Sequence, residues 1–203
     1  GAGGPLTSGG TTPTGLRAIG APSVWHTFGL NGEGRVIGTL DTGADATHPA
    51  LAASWRGNNG HPWQECWLDR VGTGSHVPED PQGHGTHVMG ILCGRDQATQ
   101  DTIGVAWGAQ WITCNAVRHG VGGAFDNDLL EAYQWFADPD GNAQTIDDVP
   151  DVVENSWRVN EEIGWGYTDC DPRWWTAMDN LEAAGVCLVY AAGNEGPNAG
   201  TIG

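Results

Sequence analysis

Arg35-Val36-Ile37-Gly38-Thr39-Leu40-Asp41-Thr42-Gly43 decides the fold. Residues 35–40 are an apolar run of strand length with no helical period, which predicts a buried β-strand. Asp41 sits at its carboxyl end, followed at once by a turn residue. The same pattern returns down the chain. Ala109–Val117 is a second apolar run, Asp151-Val152-Val153 opens a third that continues through Ser156 and Trp157, and Val186–Ala192 is a fourth. Between them lie helical patterns. One begins near His84, with Val88, Ile91 and Leu92 on one side. Another is capped by Asp126 and runs to about Ala137. A third has Asp171 as N-cap, Pro172 as first helical position and Gly185 as C′ residue. Ala21–Trp25 starts a short helix. Residues 1–20, rich in Gly, Thr and Pro, read as an extended N-terminal arm, and residues 52–82 as a long surface loop. Strand and helix alternate, so the expected architecture is α/β, a parallel sheet covered on both faces. Asp41 and Asn194 both follow a strand's carboxyl end, where open α/β sheets place their sites.

The composition narrows the function. The 203 residues suffice for one domain with a sizeable core. The formal charge is −17, all eight basic residues are arginine, and there is no lysine. Such acidity argues against nucleic acid or an anionic membrane as partner. The apolar runs fall far short of the ~20 residues of a membrane span. Gly1-Ala2-Gly3-Gly4-Pro5 is a flexible start, consistent with a processed, secreted protein. The five cysteines match no zinc pattern. Cys93, Cys114 and Cys187 read as small buried hydrophobes, whereas Cys66 and Cys170 lie in polar, Trp-containing segments and could pair if the fold brings them together.

Three short motifs carry chemistry: Leu40-Asp41-Thr42-Gly43, His84-Gly85-Thr86-His87 and Ala192-Gly193-Asn194-Glu195-Gly196. Each has an ordinary reading alone. Asp-Thr-Gly is a common strand-to-turn signal and also occurs in aspartic proteases. His84 and His87, three apart on a helix, could bind a metal. Gly-Asn-Glu-Gly could be a plain turn. Taken in this order they resemble the motifs of a known hydrolase family, and it is the resemblance that gives them a joint meaning. A serine hydroxyl needs a base within hydrogen-bond reach, and the base needs a third group to hold its tautomer. Asp41 fits the orienting carboxylate, His84 the base, and Asn194 a donor to an oxyanion.

In that order the motifs resemble the aspartate, histidine and oxyanion asparagine of subtilisin-type serine proteases. Further segments are similar to the bacillopeptidase F-like branch: Gly32-Glu33-Gly34-Arg35-Val36, His48-Pro49-Ala50-Leu51, Trp55-Arg56-Gly57, Ile103-Gly104-Val105-Ala106 and Asp151–Trp157. The resemblance covers roughly residues 18–198. It implies a subtilisin-like doubly wound sandwich, incomplete in this chain, with residues 21–203 the N-terminal part of a catalytic domain. It further implies that Ser156, Trp157 and Arg158 form an edge strand pairing with a polypeptide substrate, and that Gly193 lines the pocket for the residue before the scissile bond. The nucleophilic serine, which follows the asparagine in the family, is missing from the nine residues after Asn194.

Two departures stand out. Relatives usually have glycine where this chain has Arg158, whose guanidinium either narrows the pocket and attracts an acidic side chain or points to solvent. The family's common calcium site takes a carboxylate two residues after the His-Pro step. Here Ala50 follows Pro49 and no acid stands at that place, so no metal ligand is assigned, although the resemblance leaves a structural calcium open. Trp63, Trp67, Trp165, Trp174 and Trp175 are mostly extra to the pattern and read as core or interface packing. The expected function is a serine endopeptidase whose serine lies in a C-terminal remainder beyond Gly203. The alternative is an inactive protease-like domain used for binding or assembly.

Overall fold

A computed structural model describes residues 11–118 and 120–201. Its centre is a five-stranded sheet in which all neighbours are parallel. In chain order the strands are β1 (Val36–Leu40), β2 (Trp67–Leu68), β3 (Gln110–Cys114), β4 (Val152–Asn155) and β5 (Cys187–Tyr190). They lie in the spatial order β2-β3-β1-β4-β5. The winding direction reverses at β1, which makes the sheet doubly wound. Among the described residues five α-helices accompany it: α1 (Thr14–Ala18), α2 (Ala21–Phe28), α3 (His84–Cys93), α4 (Gly123–Ala137) and α5 (Trp175–Ala183).

All five residues of β1 are buried, as its unbroken apolar run requires. Gly38 gives the closest packing. A Cβ there would come within 2.8 Å of the Phe136 ring and 2.9 Å of Val153, so α4 lies directly on the strand at a residue without a side chain. Trp111 of β3 is wholly buried, and its indole N–H donates to the Leu51 carbonyl at 3.0 Å, which satisfies its one polar atom. Asp151, at the amino end of β4, accepts the Val36 N–H at 2.9 Å and ties the starts of two neighbouring strands together.

Several expectations need correction. Residues 14–18 of the N-terminal arm are helical, not extended, because Leu16 is buried in a small cluster with Ala21 and Trp25. Residues 1–10 lie outside the described residues. The loop 52–82 contains β2, whose Trp67 is buried against β3. The helix assigned to begin at Asp126 starts at Gly123. Asp126 turns its carboxylate instead to the Tyr167 hydroxyl at 2.7 Å and to Arg173. Strand β4 stops at Asn155, the last residue paired with β5, so Ser156–Arg158 lie beyond the strand. Asp171 caps a 3₁₀ turn that runs into α5, and Gly185 follows with φ 101°, the left-handed residue expected there.

The cysteines split differently from the expectation. Cys66 is buried and Cys170 exposed, and both are free, so they form no disulfide. Cys187 is exposed rather than buried, because β5 is the sheet's outer strand and carries no further neighbour among the described residues. Trp67 and Trp174 are core residues, whereas Trp165 and Trp175 are 72% and 51% exposed.

Candidate active site

The parallel sheet delivers the ends of β1, β4 and β5 to one edge. Asp41 follows β1, Ser156 follows β4, and Gly193-Asn194 follow β5. His84 comes from α3, whose first residue it is, entered through Gly83 at φ 82°.

The Asp41 carboxylate is fully buried. Its Oδ1 accepts from His84 Nδ1 at 2.7 Å and from the Thr42 N–H at 2.6 Å, whereas Oδ2 is buried without a partner. An ionised carboxylate only accepts, so the contact fixes the imidazole proton on Nδ1 and leaves Nε2 as the free base. Burial pushes the Asp41 carboxyl above its ordinary value, with the His84 and Thr42 bonds pulling against that rise. The Asp41 bond raises His84 above its usual value, and the charges of Asp41, Asp80 and Glu154 add to the rise. The His84 side chain is 54% exposed, so the face away from Asp41 is open. Among the described residues no hydroxyl is bonded to the imidazole. No cluster of metal-ligating groups among them includes His84 or His87.

A clamp absent from the sequence reading sets this geometry. Thr42 Oγ1 accepts the Gly85 N–H at 2.9 Å and donates to Asp80 Oδ1 at 2.9 Å. Asp80 Oδ2 accepts both the N–H and the hydroxyl of Thr86 at 2.8 Å. The turn after β1 and the first turn of α3 are thus joined through one carboxylate. Their backbones touch as well: a Cβ on Gly85 would sit 2.0 Å from the Gly43 carbonyl oxygen. Glycine is therefore the residue that fits. Nothing in the spacing marks Asp80. The only signal was an acid four residues before His84 in a loop.

Glu154 is a second carboxylate that sequence reasoning missed. It pairs in register with Thr39 on β1, accepts from the Ser156 hydroxyl, and leaves its Oε2 buried without a partner. Burial raises its carboxyl above the ordinary value, and the Asp41 charge adds to that. Its strand alternation alone could have flagged it, as a charge within a run meant for a core.

The β5 end is looser. Gly193 has φ 91°, a left-handed turn that favours glycine, and Asn194 is exposed. The Asn194 N–H donates to Glu195 Oε2 at 2.8 Å, and Glu195 Oε1 accepts from Arg158 Nη2 at 2.6 Å. Arg158 is thereby joined to the loop carrying Asn194. Trp157, Arg158, Tyr190 and Ala191 line one open hollow together with Trp174.

Fold and pair together define a doubly wound α/β protein in which an outward-facing imidazole is held by a buried carboxylate at the carboxyl ends of the strands. The chain belongs to the subtilase family, whose Peptidase_S8 sequence model matches residues 32–203. It is 36% identical over 184 residues to bacillopeptidase F of Bacillus subtilis (strain 168), covering 87% of this chain and 12% of that protein. It is 27% identical over 184 residues to an intracellular serine protease of Paenibacillus polymyxa, covering 91% of this chain and 48% of that one. Among solved structures it is similar to the CspB protease of Clostridium perfringens, with a TM-score of 0.62 and 25% identity, covering 89% of this chain and 40% of that chain. The chain thus spans about half or less of the length of the proteins it matches.

Proposed function

We propose that this chain is the N-terminal part, residues 21–203, of the catalytic domain of a serine endopeptidase. The observation that carries the reading is the 2.7 Å bond between a buried Asp41 and an outward-facing His84 on a subtilase fold. Asp41 holds the imidazole in the tautomer that leaves Nε2 free. His84 takes the proton of a serine hydroxyl as the acyl-enzyme forms and returns it to the leaving amine. Asn194 donates its side-chain amide to the oxyanion, within a loop that Gly193 shapes. Ser156, Trp157 and Arg158 lie along an extended polypeptide substrate, and Gly193 borders the pocket for the side chain before the scissile bond.

The serine itself is assigned to a segment beyond Gly203. Two features support this. The Nε2 face of His84 is open, with no hydroxyl bonded to it among the described residues. Strand β5 also presents a bare outer edge, with Val189 44% and Tyr190 39% exposed, as a sheet awaiting further strands does. Secretion is inferred from the acidic, lysine-free composition, and no helix among the described residues is long and apolar enough to cross a membrane.

The test is covalent labelling of the complete protein with a fluorophosphonate. The label should appear on a peptide C-terminal to Gly203, and the labelled protein should stop cleaving denatured casein. If the folded protein takes no label and cleaves nothing between pH 4 and pH 10 (roughly the span over which histidine and its neighbours titrate), the protease reading fails. The chain is then an inactive domain used for binding.

A further inference from the structure

Far from the dyad, the loop joining α4 to β4 gathers three carboxylates. Asp138, Asp140 and Asp148 each bring an oxygen to within 4.8 Å of the others. Asp148 is only 2% exposed. Its Oδ2 accepts the Asp140 N–H at 2.8 Å, but its Oδ1 is buried without any partner. Arg56, buried nearby, does not answer it: Nη1 donates to Gln110 at 3.0 Å and Nη2 to the Asp147 carbonyl at 2.9 Å. A buried carboxylate oxygen lacking any hydrogen-bond donor, beside two more carboxylates, is unfavourable unless a cation joins them.

We propose that Asp138, Asp140 and Asp148 hold a calcium ion. The donors are all hard oxygens, which suit calcium or magnesium rather than a thiophilic metal. Ligands on opposite sides of a calcium lie about 4.6–5.2 Å apart, so three oxygens clustered this closely fit round one ion. The Asn142 N–H donates to Asp138 Oδ1 at 2.8 Å and to Asp140 Oδ1 at 2.7 Å, which draws those two carboxylates together. The Thr145 hydroxyl donates to Asp140 Oδ2 at 2.7 Å and fixes the direction of that carboxylate. An irregular loop with several carboxylates matches the flexible coordination of calcium better than the strict octahedron of magnesium.

The site lies at the opposite end of the sheet from Asp41. Its loop leads to Asp151, which fastens the start of β4 to Val36. An ion there locks the entry of the strand whose far end carries Ser156. It differs from the family site beyond His48-Pro49, where this chain has no acid, and it stands whether or not the protein is a protease.

The experiment is calorimetric titration of CaCl₂ into the complete, EDTA-treated protein, beside the variant Asp140→Asn. Asp140 is exposed, so the substitution leaves the packing intact. Wild type should bind one calcium more per chain than D140N, and CaCl₂ should raise its melting temperature by more than it raises the variant's. MgCl₂ at equal concentration should give the smaller shift. Asp138→Asn supplies the same comparison should D140N not fold. Equal calcium stoichiometry in wild type and variant overturns the proposal, and so does an equal response to magnesium.

Discussion

Asp41 at the end of β1 has no exposed surface, whereas Asn194 beyond β5 is exposed. Asp41 sits between two buried strands and is held by His84, Thr42 and, through Thr42, Asp80. Asn194 depends on a left-handed glycine and a chain of contacts through Glu195 to Arg158. The difference follows from sheet position. Among the described residues β1 has neighbours on both sides, and β5 has one. The half proposed to move the proton is therefore anchored on a buried carboxylate of a central strand, with His84 turned outward from it. The half proposed to hold the oxyanion stands at an edge that further strands would have to cover.

The largest contrast should come from truncating one residue in each half. In the complete protein His84→Ala should cost about 10⁶ in kcat, as in subtilisin itself. Asn194→Ala should cost about 10²–10³, again the subtilisin value, with KM little changed. Comparable losses from the two variants would show that the halves do not divide base and oxyanion donor.

A smaller effect concerns pH. The base must be neutral to accept a proton, so kcat/KM should rise as pH climbs through the His84 pKa, and the midpoint should lie above the ordinary value of 6.5. Glu154→Gln removes one charge that raises His84, so this acid limb should move to lower pH. An unmoved limb would mean that Glu154 does not act on the dyad.

The smallest effect belongs to the edge. The Arg158 and Glu195 side chains are 31% and 46% exposed, so solvent screens their pairing. Arg158→Ala should change KM by no more than about fivefold, and the difference should shrink as salt rises. A loss as large as that of Asn194→Ala would make Arg158 part of the oxyanion machinery.

The buried half was legible in the sequence for the same reason that it is rigid. An unbroken apolar run ending in Asp41 specifies both a central strand and the place where its last side chain emerges. Asn194 was legible only through the order of the motifs, since a glycine-rich turn fits many structures. What sequence reasoning lost lies where tertiary contact overrides local pattern. β2 is a pair of residues, too short for any period, and exists because Trp67 has β3 beside it. The start of α4 was displaced because Asp126 looks like a cap but serves Tyr167 and Arg173 across the fold. Leu16 forms a helix in an apparently extended arm because Trp25 gives it a surface to cover. Asp80 and Glu154 carried only weak signals, an acid in a loop and a charge within an apolar run, because what they face on β1 and its turn is distant in sequence, and Cys187 looked buried because its strand reads like an inner one.

The contact between Gly43 and Gly85 bears on when Asp41 and His84 first come together. Asp41 and His84 are 43 residues apart, and a Cβ on Gly85 would collide with the Gly43 carbonyl. The turn after β1 and the head of α3 therefore meet only when the intervening loop has closed. Such closures are slow compared with local helix formation. A chain with finished helices but an unclosed loop would hold Asp41 and His84 apart, so the proposed relay depends on that closure.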